Sequence, residues 1–400
     1  MSTRGLTAVV LAAGEGTRLR PLTSNRPKPM LPAATKPILE HVFDQLIDSG
    51  ITDITVVVGY GRNRVQAHFG PTYRNVPLTY VTQEKQLGTG HALLAAESSV
   101  DGPFLVLYGD QLVGSRLIDD VSNTHDASDD AVATLGLVQR SDVAGYGGVI
   151  LDDETGRVSD LVEDPTDDRN YRLNAGVYIV EQDIFDAIRA AKPRTGEHSF
   201  VDGISELLKS GRDVRGVVSD GVWVDATYPW DLLDVSFELF EEGIVDGERS
   251  SAISESATIH DSAVIREPVV IDDDCEIGPG AVVGPSVCLG ANVTVGSGAV
   301  VERSVIDADT RIGQNGTVIG CVTGVGVTVG PGTTIPGGPG DVRVGDRVFE
   351  DEDLGALLAD RVHDQGGNTY VPGAIVGSDT VVEAGATVRG TVSEGTEVRS

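Results

Sequence analysis

The chain has 400 residues, 40% of them apolar, more than one hydrophobic core usually organises, and two domains are predicted. A formal charge of −31, from 61 acidic against 30 basic residues, repels nucleic acids and anionic membranes and argues against both as partners. No apolar run reaches the ~18–20 residues that span a bilayer, and Met1–Arg4 carries no signal-peptide core, so a cytoplasmic location is expected.

Up to about residue 220, strand-like and helix-like stretches alternate. In chain order these are Thr7–Ala12, Ile38–Ile47, Ile54–Val58, Val65–Phe69, Leu78–Val81, His91–Ala96 and Phe104–Tyr108. Strands separated by helices imply βαβ crossovers and a mainly parallel sheet covered on both faces, with ligands at the carboxyl ends of the strands. Trp230–Glu242 then has the pattern of an amphipathic helix, and Gly243–Glu255 is polar and turn-rich. The domain boundary is expected near residue 248, giving domains 1–248 and 249–400.

Beyond it the pattern changes. Ile259, Ile265, Ile271, Ile277, Val283, Leu289, Val295 and Val301 recur every six residues, and most have a small or apolar residue four places later, such as Ala263, Cys275 and Ala281. A helix would drift off this period, whereas one strand and turn per side of a triangular solenoid keeps it. The interval from Val301 to Ile306 slips to five, and the pattern is interrupted across Gly337–Asp364 before returning at Val376, Val382 and Val388. A loop or short helix is expected to protrude at the interruption, since Asp353–Arg361 is locally helix-like. Cys275, Cys288 and Cys321 have no metal or redox spacing and read as small core residues.

The chemistry concentrates after the first strand, in Leu11-Ala12-Ala13-Gly14-Glu15-Gly16-Thr17-Arg18-Leu19 and Arg26-Pro27-Lys28-Pro29-Met30. Glycines let backbone N–H groups approach a triphosphate, and Arg18 and Lys28 supply cations. Leu19 stands where a dinucleotide fingerprint or a Walker loop would need another glycine, so neither motif is present.

Taken whole, Leu11–Leu22 with Arg26–Leu31 resembles the signature of the sugar-phosphate nucleotidyltransferase family, and similar segments follow in order over roughly residues 5–240. The resemblance implies an α/β fold, a Rossmann-like mixed sheet followed by a left-handed parallel β-helix. It implies an enzyme that joins a nucleoside monophosphate to a sugar 1-phosphate and releases pyrophosphate. Arg18 and Lys28 take the catalytic role, with nucleotide contacts from Leu11, Ala13, Gly14, Gly16, Thr17, Gln83, Gly88 and Thr89. Gln83–Ala92 is similar to the base-reading segment, closest to that of UTP users, with dTTP second. Gly148, Glu163 and Asn174 would hold the sugar, either glucose or N-acetylglucosamine. Asp110, after the apolar strand Phe104–Tyr108, and Asp225 in Trp223-Val224-Asp225-Ala226 would ligate Mg²⁺. Many members have a lysine after the sugar-binding glutamate; here Asp164 stands there, and Arg169 or Arg172 is the candidate replacement.

The solenoid resembles hexapeptide-repeat acyltransferases, which implies a homotrimer through its flat faces. It also raises two alternatives: a bifunctional uridylyltransferase/acetyltransferase, and a non-catalytic regulatory homologue. An acetyltransferase base would have to be His260 or His363, and Gly313–Gly332 contains neither the histidine nor the tyrosine expected there. Intact Gly16, Arg18, Lys28, Asp110 and Asp225 argue against the regulatory alternative. The carboxylate-rich surface, with only five lysines in the chain, fits a haloarchaeal source and molar salt, an ordinary acidic protein being the alternative.

Overall fold

The computed structural model describes residues 5–140, 146–163, 165, 167, 169–193, 196–241 and 252–400. By its contacts the chain divides into two compact units: residues up to Glu15 with Ile38–Trp223, and Gly16–Pro37 with Val224–Ser400. The expected boundary near residue 248 lies outside the described residues.

The first unit is built on a ten-stranded sheet. Its centre is a parallel run in which Thr7–Ala12 lies between Phe104–Tyr108 and Ile54–Val58, with Val76–Thr82 next outward. Ile54–Val58 is buried along its whole length, as a strand covered on both faces must be, which is why its sequence is an unbroken apolar run. Helix Ile38–Asp48 makes the crossover between the first two of these strands.

The expectation of a mainly parallel sheet holds for this run and for the parallel pair of Ala131–Val138 with Asp213–Val218, but not for the whole sheet. Arg172–Val180 enters antiparallel between Phe104–Tyr108 and Ala131–Val138, and Gly147–Asp152 and Arg157–Glu163 form an antiparallel pair at the far side. Gly147–Asp152 pairs antiparallel with both Arg157–Glu163 and Arg172–Val180, so antiparallel pairs stand beside the parallel run and the sheet is mixed. Its core includes Val9, Leu11, Phe104, Val106, Leu135, Tyr178, Phe185 and Phe200.

The second unit is a three-sided parallel β-helix together with helix Asp231–Glu241 and the Gly16–Pro37 segment. Successive short strands fall in turn on three stacked sheets, the architecture of the expected left-handed hexapeptide solenoid. Ile271 pairs with Leu289 eighteen residues on, and Val283 with Val301 likewise. After Val301 the corner loses one residue, with Arg303 at φ 45, and the coil shortens to seventeen, so that Leu289 pairs with Ile306 and Val301 with Val318. This accounts for the five-residue slip in the sequence. Residues at the six-residue positions point inward: Val283, Leu289, Val295 and Val301 are fully buried. All three cysteines are buried and free, and burial raises their thiol pKa.

The interruption is a β-hairpin. Gly340–Val344 and Arg347–Glu352 pair antiparallel, Val342 opposite Phe349, around a turn with Gly345 at φ 59. Of the loop or short helix expected to protrude there, the helical alternative over Asp353–Arg361 does not form. Instead Ala356–Leu358 resumes the coil, Leu357 pairing with Val322. The parallel ladder and the inward burial of Ala356, Leu358 and Val362 outweigh the local helical propensity of that run.

Candidate active site

Going outward from Thr7–Ala12, the chain first adds Ile54–Val58 and Val76–Thr82 on one side, then Phe104–Tyr108 on the other. The order of strands therefore reverses between Thr7–Ala12 and Phe104–Tyr108, and an open sheet binds ligands in the crevice at the carboxyl ends of such strands. Leu11, Ala13 and Gly14 leave the first strand there, and Asp110 leaves the second. The Gly109 N–H donates to Leu11 O at 2.9 Å, which puts the Gly109–Asp110 turn directly beside the glycine loop. A Cβ on Gly109 would come within 3.0 Å of Ala12 Cβ, and one on Gly59 within 2.8 Å of Ala13 O, so glycines on both flanks let the loop sit close to the sheet. Gly14 is exposed with open space around its Cα.

The Gln83–Ala92 segment braces this loop. Gln86 Nε2 donates to Ala13 O at 3.3 Å, a contact that sequence reasoning did not assign. Gln83 is buried, its Nε2 donating to Gly88 O at 3.0 Å and lying 3.1 Å from His91 Nδ1. Gly88 has φ 94, and a Cβ there would come within 2.5 Å of His198 O, so this position requires glycine for packing as well. Helix Thr89–Ala95 starts immediately after it, and Thr89 Oγ1 accepts the Phe200 N–H at 3.0 Å.

The proposed sugar residues meet around Gly147. Glu163 is its register partner, and a Cβ on Gly147 would lie 3.2 Å from Asn174 Cβ. Glu163 is exposed and accepts a hydrogen bond from Ser199 Oγ at 2.7 Å. Asn174 donates from Nδ2 to Tyr178 Oη at 2.8 Å, and its Oδ1 accepts the Gly176 N–H at 3.3 Å. Gly148 pairs with Val162 on one side and Leu173 on the other, and a Cβ there would strike the Tyr171 ring at 2.7 Å. Gln111, next to Asp110, was not singled out from sequence; its Oε1 is buried without a hydrogen-bond partner, 2.4 Å from where a Cβ on Gly176 would stand. Burial pushes the neighbouring Tyr108 hydroxyl up to about 12. Asp164 lies outside the described residues. Arg169 pairs with Asp160 at 2.7 Å and Asp167 at 3.0 Å, and Arg172 lies 3.6 Å from Asp153, so each candidate replacement cation already faces a carboxylate.

In the second unit, Gly16 takes φ 65 and opens a short 3₁₀ turn over Thr17–Leu19 that leaves Thr17 and Arg18 exposed while Leu19 is fully buried. Thr23 Oγ1 donates to Gly16 O at 2.8 Å, and a Cβ on Gly16 would stand only 2.6 Å from Lys28 Cβ. Lys28 Nζ lies 3.8 Å from Asp225 Oδ1, and Thr227 Oγ1 donates to Asp225 Oδ2. The Arg18 guanidinium lies 5.9 Å from the centre of the Tyr228 ring, within cation–π range. Asp231 accepts the Thr227 and Tyr228 N–H groups at 2.8 and 2.6 Å; burial first, then the Asp225 charge, pushes its carboxyl up to about 7. Two cations and a buried carboxylate thus surround the glycine turn. His260 and His363 are both exposed on the β-helix.

A glycine loop leaving a sheet at its switch point, and a lysine–aspartate pair beside a left-handed glycine, define a nucleotidyltransferase to which a β-helix is joined. The chain belongs to the nucleotidyl transferase family, whose family model matches residues 7–242, and residues 248–393 match the GMPPB C-terminal domain. It is 37% identical to the UTP–glucose-1-phosphate uridylyltransferase AglF of Haloferax volcanii, over 59% of this chain and 97% of that protein. It is 35% identical to the bifunctional protein GlmU of Methanococcus vannielii over 57% of this chain and 54% of that protein, so it spans about half the length of that relative. A UDP-glucose pyrophosphorylase solved with UDP-glucose shares the fold, with a TM-score of 0.54 at 23% identity, over 59% of this chain and 99% of that one.

Proposed function

We propose that the protein is a sugar-1-phosphate nucleotidyltransferase that uses UTP and glucose 1-phosphate to form UDP-glucose and pyrophosphate. The observation that carries the reading is the Gly16–Lys28–Asp225 constellation, which has the phosphate cation and the carboxylate at one glycine turn. The uridylyltransferase named among its relatives supports UTP and glucose 1-phosphate. dTTP and N-acetylglucosamine 1-phosphate are second, the latter because an Asn174 amide can bond an N-acetyl group as well as a hydroxyl.

A phosphate oxygen of the sugar 1-phosphate attacks the α-phosphorus in line, the bond to the bridging oxygen breaks, and pyrophosphate leaves. A phosphate dianion needs no general base, so the side chains work by position and charge. Arg18 and Lys28 offset the negative charge on the phosphoryl oxygens, Gly14 and Gly16 allow backbone N–H groups close approach, and Glu163 accepts from sugar hydroxyls. Among the described residues no group of three or more His, Cys, Asp or Glu is arranged to hold a metal. Single hard carboxylates suit an ion that takes one or two of them and completes its shell with phosphate oxygens and water, as Mg²⁺ does. Asp110 and Asp225 would hold it, and when bound it would supply charge neutralisation at the phosphates. The β-helix would assemble a homotrimer, and the acidic surface would suit a salt-rich cytoplasm.

The test is a panel of four nucleoside triphosphates against glucose, N-acetylglucosamine and glucosamine 1-phosphates in molar KCl, scored by pyrophosphate release. UTP with glucose 1-phosphate should give the highest kcat/KM. No release with any pair would overturn the reading.

A further inference from the structure

The Lys28 segment is fastened to the β-helix through a buried ion cluster. Arg26 Nη2 is ion-paired with Asp307 Oδ2 and lies 3.9 Å from Asp360 Oδ1, and Asn25 Nδ2 lies 3.5 Å from Asp360 Oδ2. The three charged side chains are only 9–12% exposed. Asp307 and Asp360 follow strands Ser304–Ile306 and Ala356–Leu358, which are two coils apart on one sheet with Cys321–Thr323 between them. Gly324 occupies the intervening corner, and a Cβ there would come within 2.3 Å of Asp360 Oδ1. A glycine at that corner makes room for the carboxylate. Both carboxylates are also fixed from behind: Asp307 Oδ1 accepts the Ala308 N–H at 2.8 Å, and Asp360 Oδ1 the Val325 N–H at 3.1 Å.

Only Pro27 separates Arg26 from Lys28, and the link is stiff. Pro27 has its φ fixed at −69, Lys28 begins a 3₁₀ turn whose second residue is Pro29, and Lys28 Cβ abuts Gly16. A displacement of Arg26 therefore moves Lys28 and the Gly16 turn. Buried ion pairs add little net stability over apolar packing, but removing one partner leaves a buried charge without its counterpart, so the geometry of such a cluster is strongly enforced.

We propose that Arg26, held by Asp307 and Asp360, is a positioning residue that sets the Lys28 turn for nucleotidyl transfer, which makes the β-helix a working part of the transferase site. The inference rests on the assignment of Lys28 above. The test measures kcat and triphosphate KM of the full-length chain for Arg26→Met, Arg26→Lys, the double variant Asp307→Asn/Asp360→Asn, and the triple variant combining Arg26→Met with it. Asparagine keeps the shape and one acceptor oxygen per residue while removing the charge, so these variants report position even where Arg26→Met fails to fold. Lys28→Ala and Glu302→Gln, the latter in a separate β-helix pair with Arg266, serve as references.

The expected result is a fall in kcat of at least ~10-fold in Arg26→Met and in the double variant, with the triple variant no worse than Arg26→Met because the groups act as one unit. Arg26→Lys should recover part of the loss, and Glu302→Gln should match wild type. Unchanged kcat in the clamp variants while Lys28→Ala is impaired would overturn the positioning role alone. So would losses that simply multiply in the triple variant, or losses that follow only the fraction of folded protein. An active Lys28→Ala would instead remove the functional reading on which the inference rests.

Discussion

Gly16→Ala tests the geometry of the glycine turn. Gly16 sits at φ 65, where an L-residue costs roughly 1–2 kcal/mol. The added methyl would also stand 2.6 Å from Lys28 Cβ and 3.2 Å from Thr23 Cγ2, whereas ordinary contacts begin at 3.4 Å. Lys28 Cβ is fixed to the backbone and cannot swing aside, so the Lys28 turn must retreat by about 0.8 Å, the difference between those distances. Misplacing a catalytic group by about 1 Å costs on the order of 10²-fold in rate. The variant should therefore melt lower by the equivalent of roughly 1–2 kcal/mol and lose on the order of 10²-fold in kcat. Gly102→Ala is the control: Gly102 has φ 74 with nothing within 4 Å of its would-be Cβ, so it should show the stability loss without the rate loss. The assay is pyrophosphate release at saturating substrates beside calorimetric melting. A wild-type kcat in Gly16→Ala, or equal kcat losses in the two variants, would refute the argument.

Asp110→Asn and Asp225→Asn should each cut turnover at least ~100-fold while melting remains cooperative, as expected when a group that stabilises transition-state charge is lost; near-wild-type rates at saturating Mg²⁺ would remove the metal assignment. Lys28→Ala should lower kcat and raise the triphosphate KM together, since a phosphate cation acts in ground and transition states alike; a change confined to the sugar-phosphate KM would assign it to the other substrate. Asp231 has a folded-state pKa raised to about 7, above the ordinary unfolded carboxyl value of ~3.9, so its contribution to stability is complete below about pH 4 and is lost as pH rises to about 7. Asp231→Asn should flatten the fall of Tm across that window, and an unchanged slope would contradict the assignment. Light scattering in molar KCl should give three times the chain mass, and a monomer there would exclude the trimer.

The elements that local pattern controls were legible in the sequence. Thr7–Ala12, Ile54–Val58 and Phe104–Tyr108 have the bounds read from their apolar runs, because a strand buried on both faces carries its whole signal locally. The six-residue period likewise placed the β-helix strands, since each side of a coil repeats the same inward position. Arg172–Val180 was harder: its antiparallel insertion between two distant strands depends on partners its own residues do not specify. The Asp353–Arg361 stretch misled because Leu and Ala favour a helix until a neighbouring coil offers a ladder. At the candidate site, the placement of the glycine loop and of Asp110 at the ends of adjacent strands was legible from motif and strand end. The Lys28–Asp225 approach, the Gln86–Ala13 hydrogen bond and the grouping of Gly16–Pro37 with the β-helix were not, because each joins segments far apart in the chain.

The most direct test of nucleotidyl transfer follows the α-phosphate. The full-length protein is incubated with UTP labelled at the α-phosphorus, glucose 1-phosphate and Mg²⁺ in molar KCl, and the products are separated. The label should appear in a sugar nucleotide, with one unlabelled pyrophosphate released per transfer and no product without the sugar phosphate. Label in free UMP, in UDP with release of inorganic phosphate, or in unreacted UTP alone would contradict the account.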